Sequence, residues 1–179
     1  GPTRVLKERF GSRLSALPLY GLYDFSQSGM IFTSDELILA GARGAGYIES
    51  ISLQFDGWTD GYRVTDQTLS LSHTNSDVFP FAPEPDYADV GPRDSTDVIT
   101  NFTFIARAGV FWRRFSFERP FFWDGRSNIL VSWENRDGSW DAGYGGLVGS
   151  AQLARRAHAW YSDGAYPDSP NVSDRGRPN

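Results

Sequence analysis

The sequence predicts an all-β protein and, within that class, an antiparallel β-sandwich. Segments in which apolar and polar residues alternate recur roughly every 10 to 15 positions, and residues typical of turns separate them. The 179 residues include 19 Gly and 10 Pro, which agrees with short strands joined by many turns. Because 40% of the residues are hydrophobic, a single domain of this length is able to bury a core.

The N-terminal residues differ from the rest of the chain because they show no strand alternation. Residues 1–17 combine several charges with apolar side chains at a loosely helical spacing. We therefore interpret residues 1–17 as an arm or linker and residues 18–179 as the β-sandwich domain.

One short helix precedes most of the predicted strands. Thr33 and Glu36 form a capping-box pattern, in which a hydroxyl and a carboxyl satisfy backbone N–H groups, so a helix is predicted near residues 34–40. The segment 73–97 is rich in Pro and Asp and is predicted to be a long loop. Strands are predicted at residues 47–55, 62–74, 98–108 and 110–121, from residue 128 onwards, in the glycine-rich stretch after residue 144 and around residues 158–161.

The segment "RPFFWDGRSNILVSW" at residues 119–133 predicts a corner of the core. Pro120 has no backbone N–H and is expected to end a strand. Phe121 and Trp123 would enter the core together, and Asp124-Gly125 would make a tight turn. The apolar residues of the returning strand that would face the core are Ile129, Val131 and Trp133.

Several of these segments together resemble a known module. In chain order they read "YDFSQSGMIFTSDEL", "YIESISLQF", "QTLSLSHTNSDVF", "FWRRFSFERPFFWDGRSNILVSWEN" and "RGRPN". The series is similar to a jelly-roll β-sandwich module of adhesin type found in bacterial secreted and surface proteins. The resemblance covers about residues 20–179 and implies the fold more firmly than the function. It also implies a further strand after "RPN", so either that strand is missing after Asn179 or another segment completes the sheet.

Composition excludes several classes of function. The formal charge is −5, with 22 acidic and 17 basic residues, and this balance argues against a nucleic-acid-binding protein. The chain has no Cys, which excludes disulfides and thiolate metal sites. No run of 18 apolar residues occurs, so no membrane-spanning helix is predicted.

The sequence gives little support to a catalytic function. His73 and His158 are the only histidines, and they lie 85 residues apart. No nucleophile elbow, zinc-protease motif or phosphate-binding loop is present. We therefore expect that the protein is not an enzyme.

Aromatic residues beside turns suggest a carbohydrate-binding surface. Trp58, Trp140 and Tyr144 are the candidates, because exposed rings on loops can stack against the apolar faces of sugars. The alternative is that these rings cap the ends of the sandwich core, where large aromatic side chains are often buried.

The stretch "ENRDGSWD" offers oxygen ligands for a hard cation. Glu134, Asn135, Asp137 and Asp141 surround Gly138 and could bind calcium, although the spacing is not that of an EF-hand. The alternative is a plain Asp-Gly hairpin turn. No other cofactor is predicted.

The N-terminal arm is a candidate assembly element. Its apolar side chains have no assigned place in the sandwich, and they are Val5, Leu6, Phe10, Leu14 and Leu17. One hypothesis is that the arm docks on a neighbouring subunit by adding a strand to an open sheet edge. The alternative is a disordered linker.

These observations favour a non-catalytic structural or adhesive protein. We expect it to act through protein–protein contacts, with copies of itself or with other surface proteins, in a virion, a filament or a cell-surface layer. Its expected location is therefore extracellular or on a cell or virion surface. One alternative is a carbohydrate-binding module with glycans as partners, and another is an accessory domain of a secreted hydrolase.

Overall fold

The structure, a computed structural model, describes residues 5–6, 13–15, 18–19, 23–79, 91–139, 144–151, 156–164, 166, 172–174 and 176–178. These residues form eleven strands and one helix. In chain order the elements are β1 (Arg13–Ser15), β2 (Phe25–Phe32), α1 (Ser34–Leu39), β3 (Gly46–Asp56), β4 (Arg63–Thr74), β5 (Arg93–Ile105), β6 (Phe111–Trp123), β7 (Asn128–Asn135), β8 (Gly146–Ala151), β9 (Ala157–Ser162), β10 (Val172–Asp174) and β11 (Gly176–Pro178).

The first eight strands pair in a nested order. Strand β1 pairs with β8, β2 with β7, β3 with β6 and β4 with β5, and all four pairs are antiparallel. The result is a first sheet in the order β1-β8-β3-β6 and a second sheet that contains β2-β7-β4-β5. A long hairpin wound up in this way is a jelly roll. The predicted fold class, an antiparallel β-sandwich with one short helix, is confirmed.

Three further strands extend the jelly roll. Strand β9 pairs with β2 and β10 with β9, so both widen the second sheet. Strand β11 pairs with β8 in the first sheet. The "RGRPN" stretch, after which the resemblance implied another strand, therefore contributes a strand itself.

The boundary predicted between arm and sandwich is wrong for residues 13–15. These residues form β1, in which Leu14 lies opposite Val148 of β8 in the same chain. Three residues are too few to show an alternating pattern, so only the partner strand reveals the element. Val5 and Leu6 lie at the surface, with 78% and 37% of their area exposed. The other two arm candidates, Phe10 and Leu17, lie outside the described residues.

The predicted helix forms at the expected place. Helix α1 is capped by Thr33, whose side-chain oxygen accepts a hydrogen bond from the backbone N–H of Glu36 at 3.3 Å. The Glu36 carboxylate accepts in return from the backbone N–H of Thr33 at 2.9 Å. Both halves of the capping box are thus present, and the helix ends at Leu39, one residue earlier than predicted. Among the described residues, no helix has the length and apolar character needed to cross a membrane.

The core fills the space between the two sheets. Trp133 of β7 is fully buried, and its ring meets the rings of Phe102 and Phe115 edge-on at centroid distances of 5.5 and 5.1 Å. Such edge-to-face pairs are the geometry that aromatic rings prefer. Ile129 and Val131 belong to the same core, as the alternation from residue 128 predicted.

The predicted corner is correct in its packing and wrong in one boundary. Phe121 and Trp123 are both 3% exposed, and Gly125 adopts a φ of 78°, as the tight turn requires. Strand β6 nevertheless continues through Pro120 to Trp123. The pairing with β3 is irregular between Ile48 and Ser50, so Pro120 lies where regular pairing is interrupted. An irregularity in a strand at the end of its sheet accommodates a proline, since fewer backbone N–H groups need a partner there.

The predicted loop at residues 73–97 is shorter than expected in the structure. Strand β4 reaches Thr74 and β5 begins at Arg93. The first residues of β5 are polar and exposed, which removes the alternation that would have revealed the strand. Phe79, in the connection, is buried on the outer face of the second sheet, where it stacks on His158 at 5.6 Å. Residues 80–90 lie outside the described ranges.

Candidate functional site

The prediction of an exposed sugar-binding ring is wrong for Trp58. Its side chain is 3% exposed, and the indole N–H donates to the carbonyl oxygen of Gly146 at 3.0 Å. The ring contacts Phe55 and Tyr144 at centroid distances of 5.6 and 5.0 Å. Trp58 therefore caps the core and offers no free face to a ligand.

Tyr144 belongs to the same cluster and is only partly buried. Its hydroxyl donates to the Asp137 carboxylate at 2.9 Å, and its ring meets Tyr62 at 5.2 Å. Burial raises the pKa of Tyr144 well above its usual range, and the nearby charge of Asp137 raises it further. We call Trp58, Tyr62, Asp137 and Tyr144 the closed cluster. The third predicted ring, Trp140, lies outside the described residues.

The predicted calcium ligands do not converge in the part of the loop that the structure describes. Glu134 and Asn135 are successive strand residues and so point to opposite faces of the sheet. The Glu134 carboxylate pairs with Arg136 at 3.3 Å. Asp141 lies outside the described residues, so the calcium site stays a prediction.

Internal hydrogen bonds engage the side-chain oxygen of Asn135 and both carboxylate oxygens of Asp137. The Asn135 side-chain oxygen accepts from Gln67 at 2.6 Å and from the backbone N–H of Asp137 at 3.1 Å. The other oxygen of the Asp137 carboxylate accepts from the Thr65 hydroxyl at 2.8 Å. The described residues contain no group of three or more His, Cys, Asp or Glu side chains that could hold a metal ion.

The opposite end of β3 carries a cleft that the sequence did not reveal. It lies where β3 and β5 begin and where β4 and β6 end, and its volume is about 450 Å³. We call it the open cleft, and it is lined by Tyr47, His73, Arg93, Asp94, Thr96, Pro120, Phe121, Phe122 and Asp124.

His73 forms the base of the open cleft and is fixed on both sides of its ring. Its Nδ1 lies 2.9 Å from an oxygen of Asp94, and its Nε2 accepts the backbone N–H of Asp124 at 3.1 Å. Because Nε2 is an acceptor, the geometry assigns a neutral imidazole that donates from Nδ1 to Asp94. The ring also packs on Phe121 at 4.8 Å. Both ring nitrogens of His73 are thus engaged in hydrogen bonds.

The carboxylate of Asp94 is held in place and still faces solvent. One of its oxygens also accepts the backbone N–H of His73 at 3.2 Å, while the side chain is 62% exposed. Asp94 adopts a φ of 50°, which is uncommon outside glycine although Asp tolerates it better than most residues. The irregular pairing between Leu71 and His73 accompanies this backbone turn.

The turn after β6 fixes a second carboxylate. One oxygen of Asp124 accepts the backbone N–H groups of Arg126 and Ser127 at 2.8 and 2.7 Å, and the other accepts the Ser127 hydroxyl at 2.6 Å. Desolvation alone would raise the pKa of Asp124, but these hydrogen bonds outweigh it and hold the pKa well below its usual range. The Arg93 guanidinium donates to the same Ser127 hydroxyl at 2.8 Å.

Two exposed aromatic rings form the outer wall of the open cleft. Tyr47 and Phe122 lie directly opposite each other in the β3–β6 pair, with ring centroids 5.2 Å apart in an edge-to-face arrangement. They are 69% and 51% exposed. Alternation within β6 could have indicated Phe122, because its neighbours Phe121 and Trp123 both point to the core.

A second group of exposed apolar residues lies at the far end of β5 and β6. Ile105, Val110 and Trp112 are 50%, 60% and 46% exposed and fall within eight residues of chain around the β5-to-β6 connection. We call these three residues the β5–β6 patch. Among the described strands, β5 ends one sheet and β6 ends the other, so the patch lies beside two sheet edges.

Comparison of the chain with protein-family models, with curated proteins and with solved structures finds no match. The resemblance to adhesin-type modules therefore stays a prediction.

Proposed function

We propose that this chain is a non-catalytic, structural or adhesive β-sandwich that acts through contacts with other proteins, copies of itself included. Its proposed place is an extracellular or particle-surface assembly, in line with the resemblance to adhesin-type modules. The observation that carries the proposal is the β5–β6 patch, where three large apolar side chains are exposed beside two sheet edges.

Exposure of this kind is unfavourable for an isolated domain. Grouped apolar side chains at a surface commonly mark a contact site, because their removal from water contributes about 25 cal/mol per Å². The ends of two sheets lie beside the same patch, and unpaired strand edges are able to bond to another chain. A self-complementary contact of this type would produce a closed dimer.

The open cleft also supports a non-catalytic function. His73, its most buried titratable group, has both ring nitrogens engaged in hydrogen bonds. Efficient acid–base catalysis requires a group able to exchange its proton with substrate. In this cleft the histidine instead fixes Asp94 and the backbone of Asp124.

The test is the mass of the protein in solution. We expect light scattering to show an oligomer whose mass falls to that of the monomer in a Val110→Asp, Trp112→Ser double variant. Leu39→Asp is the matched control, since Leu39 is 88% exposed at the end of α1, which belongs to neither sheet. A monomeric wild-type protein, or a double variant that keeps the oligomer, would contradict self-association through the patch.

A further inference from the structure

We propose that the open cleft is a binding site for a neutral saccharide. This inference goes beyond the contact function proposed above and rests on different residues. The aromatic rings Tyr47 and Phe122 would stack against the sugar, and the side chains of Arg93 and Asp94 would bond to its hydroxyl groups.

The aromatic wall provides the stacking surface. Tyr47 and Phe122 hold each other in an edge-to-face pair and keep roughly half or more of their surface in water. A pyranose ring has one face of C–H groups, and covering an aromatic face with it removes apolar surface from water on both partners.

The polar wall provides both acceptors and donors. The Asp94 carboxylate is 62% exposed and accepts, whereas the Arg93 guanidinium only donates. A sugar hydroxyl does both, so neighbouring hydroxyls could bond to Asp94 as donors and to Arg93 as acceptors. Such charge-assisted hydrogen bonds are stronger than neutral ones.

These polar groups are already fixed without a ligand. Asp94 is held by His73, and Asp124 is held by the turn at Arg126 and Ser127. Arg93 is held by Ser127 at 2.8 Å and by Asn75 at 3.3 Å. Side chains ordered before binding lose little entropy when the ligand arrives, which favours affinity.

The charge of the open cleft selects among ligands. Two carboxylates face one guanidinium while His73 is neutral, so the cleft has an excess of negative charge. Uronic acids, sialic acids and phosphates would meet like charge and lose affinity.

The experiment measures binding of neutral methyl glycosides and oligosaccharides by saturation-transfer NMR and titration calorimetry. We expect at least one neutral sugar to bind, and we expect Phe122→Ala and Asp94→Asn to weaken that binding tenfold or more. Asp94→Asn keeps an oxygen that can accept from His73 and so preserves the local fold. Leu39→Ala is the control, because it removes an exposed apolar side chain of α1 that does not line the open cleft and should leave the affinity unchanged.

Three outcomes would overturn the proposal. They are no binding of any neutral sugar to the folded protein, binding of anionic sugars alone, and binding that survives Phe122→Ala but is lost in Trp140→Ala. The test is independent of assembly, because saccharide binding is measured again in the Val110→Asp, Trp112→Ser variant. If that variant binds sugar, the saccharide site is supported even when the wild-type protein proves to be a monomer.

Discussion

The closed cluster and the open cleft contain the same kinds of residue at opposite ends of β3, and only one of them faces solvent. In the closed cluster, Trp58 is 3% exposed and the Tyr144 hydroxyl is bonded to Asp137. In the open cleft, Tyr47 and Phe122 stay in water beside the carboxylates of Asp94 and Asp124.

The difference depends on a distant segment of chain. Gly145 crosses the backbone of residues 56–58 so closely that an added Cβ would lie 2.5 Å from the carbonyl carbon of Gly57. This crossing brings the Gly146 carbonyl to the Trp58 indole and covers the ring. Whether an aromatic residue beside a turn is buried or available for binding therefore depends on whether a distant segment of the chain covers its ring.

The largest expected contrast is between one ring from each region. Trp58→Ala should lower the free energy of unfolding by about 3–5 kcal/mol, because it leaves a cavity and removes a buried hydrogen bond. Phe122→Ala should cost only about 1 kcal/mol, because the ring is half exposed and loses mainly its cross-strand pair with Tyr47. Urea unfolding of both variants measures the contrast. Equal losses in the two variants would contradict the assignment of closed and open regions.

The turn beside the open cleft gives the next largest effect. Gly125→Val should cost about 2 kcal/mol or more, because φ is 78° and the new Cβ would lie 2.6 Å from the backbone nitrogen of Ala45. Gly109→Val is the matched control, with a φ of 76° and nothing within 4 Å, and should cost only about 1 kcal/mol for backbone strain. Thermal unfolding compares the two variants. If both lose the same stability, the contact with Ala45 has no effect.

Removing one hydroxyl from each region should have a smaller effect. Tyr144→Phe takes away the donor to Asp137 and should lower the free energy of unfolding by about 1 kcal/mol. Tyr47→Phe changes an exposed ring and should stay within about 0.5 kcal/mol of the wild type. Denaturant unfolding at neutral pH gives both values. A larger loss in Tyr47→Phe would mean that the open cleft is the more tightly bonded region.

The smallest effect concerns pH. The folded state lowers the pKa of Asp124 below the unfolded value of about 3.9, so its ionised form stabilises the fold above that pH and the contribution disappears as the pH falls. The stability difference between wild type and Asp124→Asn should be at most about 1 kcal/mol at pH 6, given solvent screening, and should shrink below pH 4. Unfolding at a series of pH values measures it. A difference that is constant down to pH 3 would contradict the role of the carboxylate.

Much of the fold could be predicted because it depends on local pattern. Alternation identified β3, β4, β6, β7 and much of β5, although it did not identify β2, and Thr33 with Glu36 identified the helix and its start. Strands β1, β10 and β11 are only three residues long, and each exists because a longer strand supplies its partner. The missing N–H of Pro120 predicts the end of a strand. The irregular pairing that lets β6 continue past Pro120 depends on two strands together, so one segment of sequence does not reveal it.

The site could not be predicted to the same degree. Strict alternation along β3 would put Tyr47 on the same face as Ile51 and Phe55. The irregular pairing between Ile48 and Ser50 changes which residues of β3 face the core, and Tyr47 points outward. The open cleft also combines residues from four strands and the turn after β6, up to 77 positions apart, which only the wound pairing brings together.

The nested pairing has a consequence for the speed of folding. The β4–β5 pair closes a connection of 18 residues, at 75–92, whereas β1–β8 encloses 130 residues, at 16–145. Closing the longer loop directly costs about 1.8 kcal/mol more in chain entropy, so we expect the roll to form from its inner pair outwards. Leu69→Ala in β4 should then mainly slow folding, whereas Leu147→Ala in β8 should mainly speed unfolding. Stopped-flow kinetics of the two variants would show the order in which the roll closes, and the opposite pattern would mean that the ends of the chain meet first.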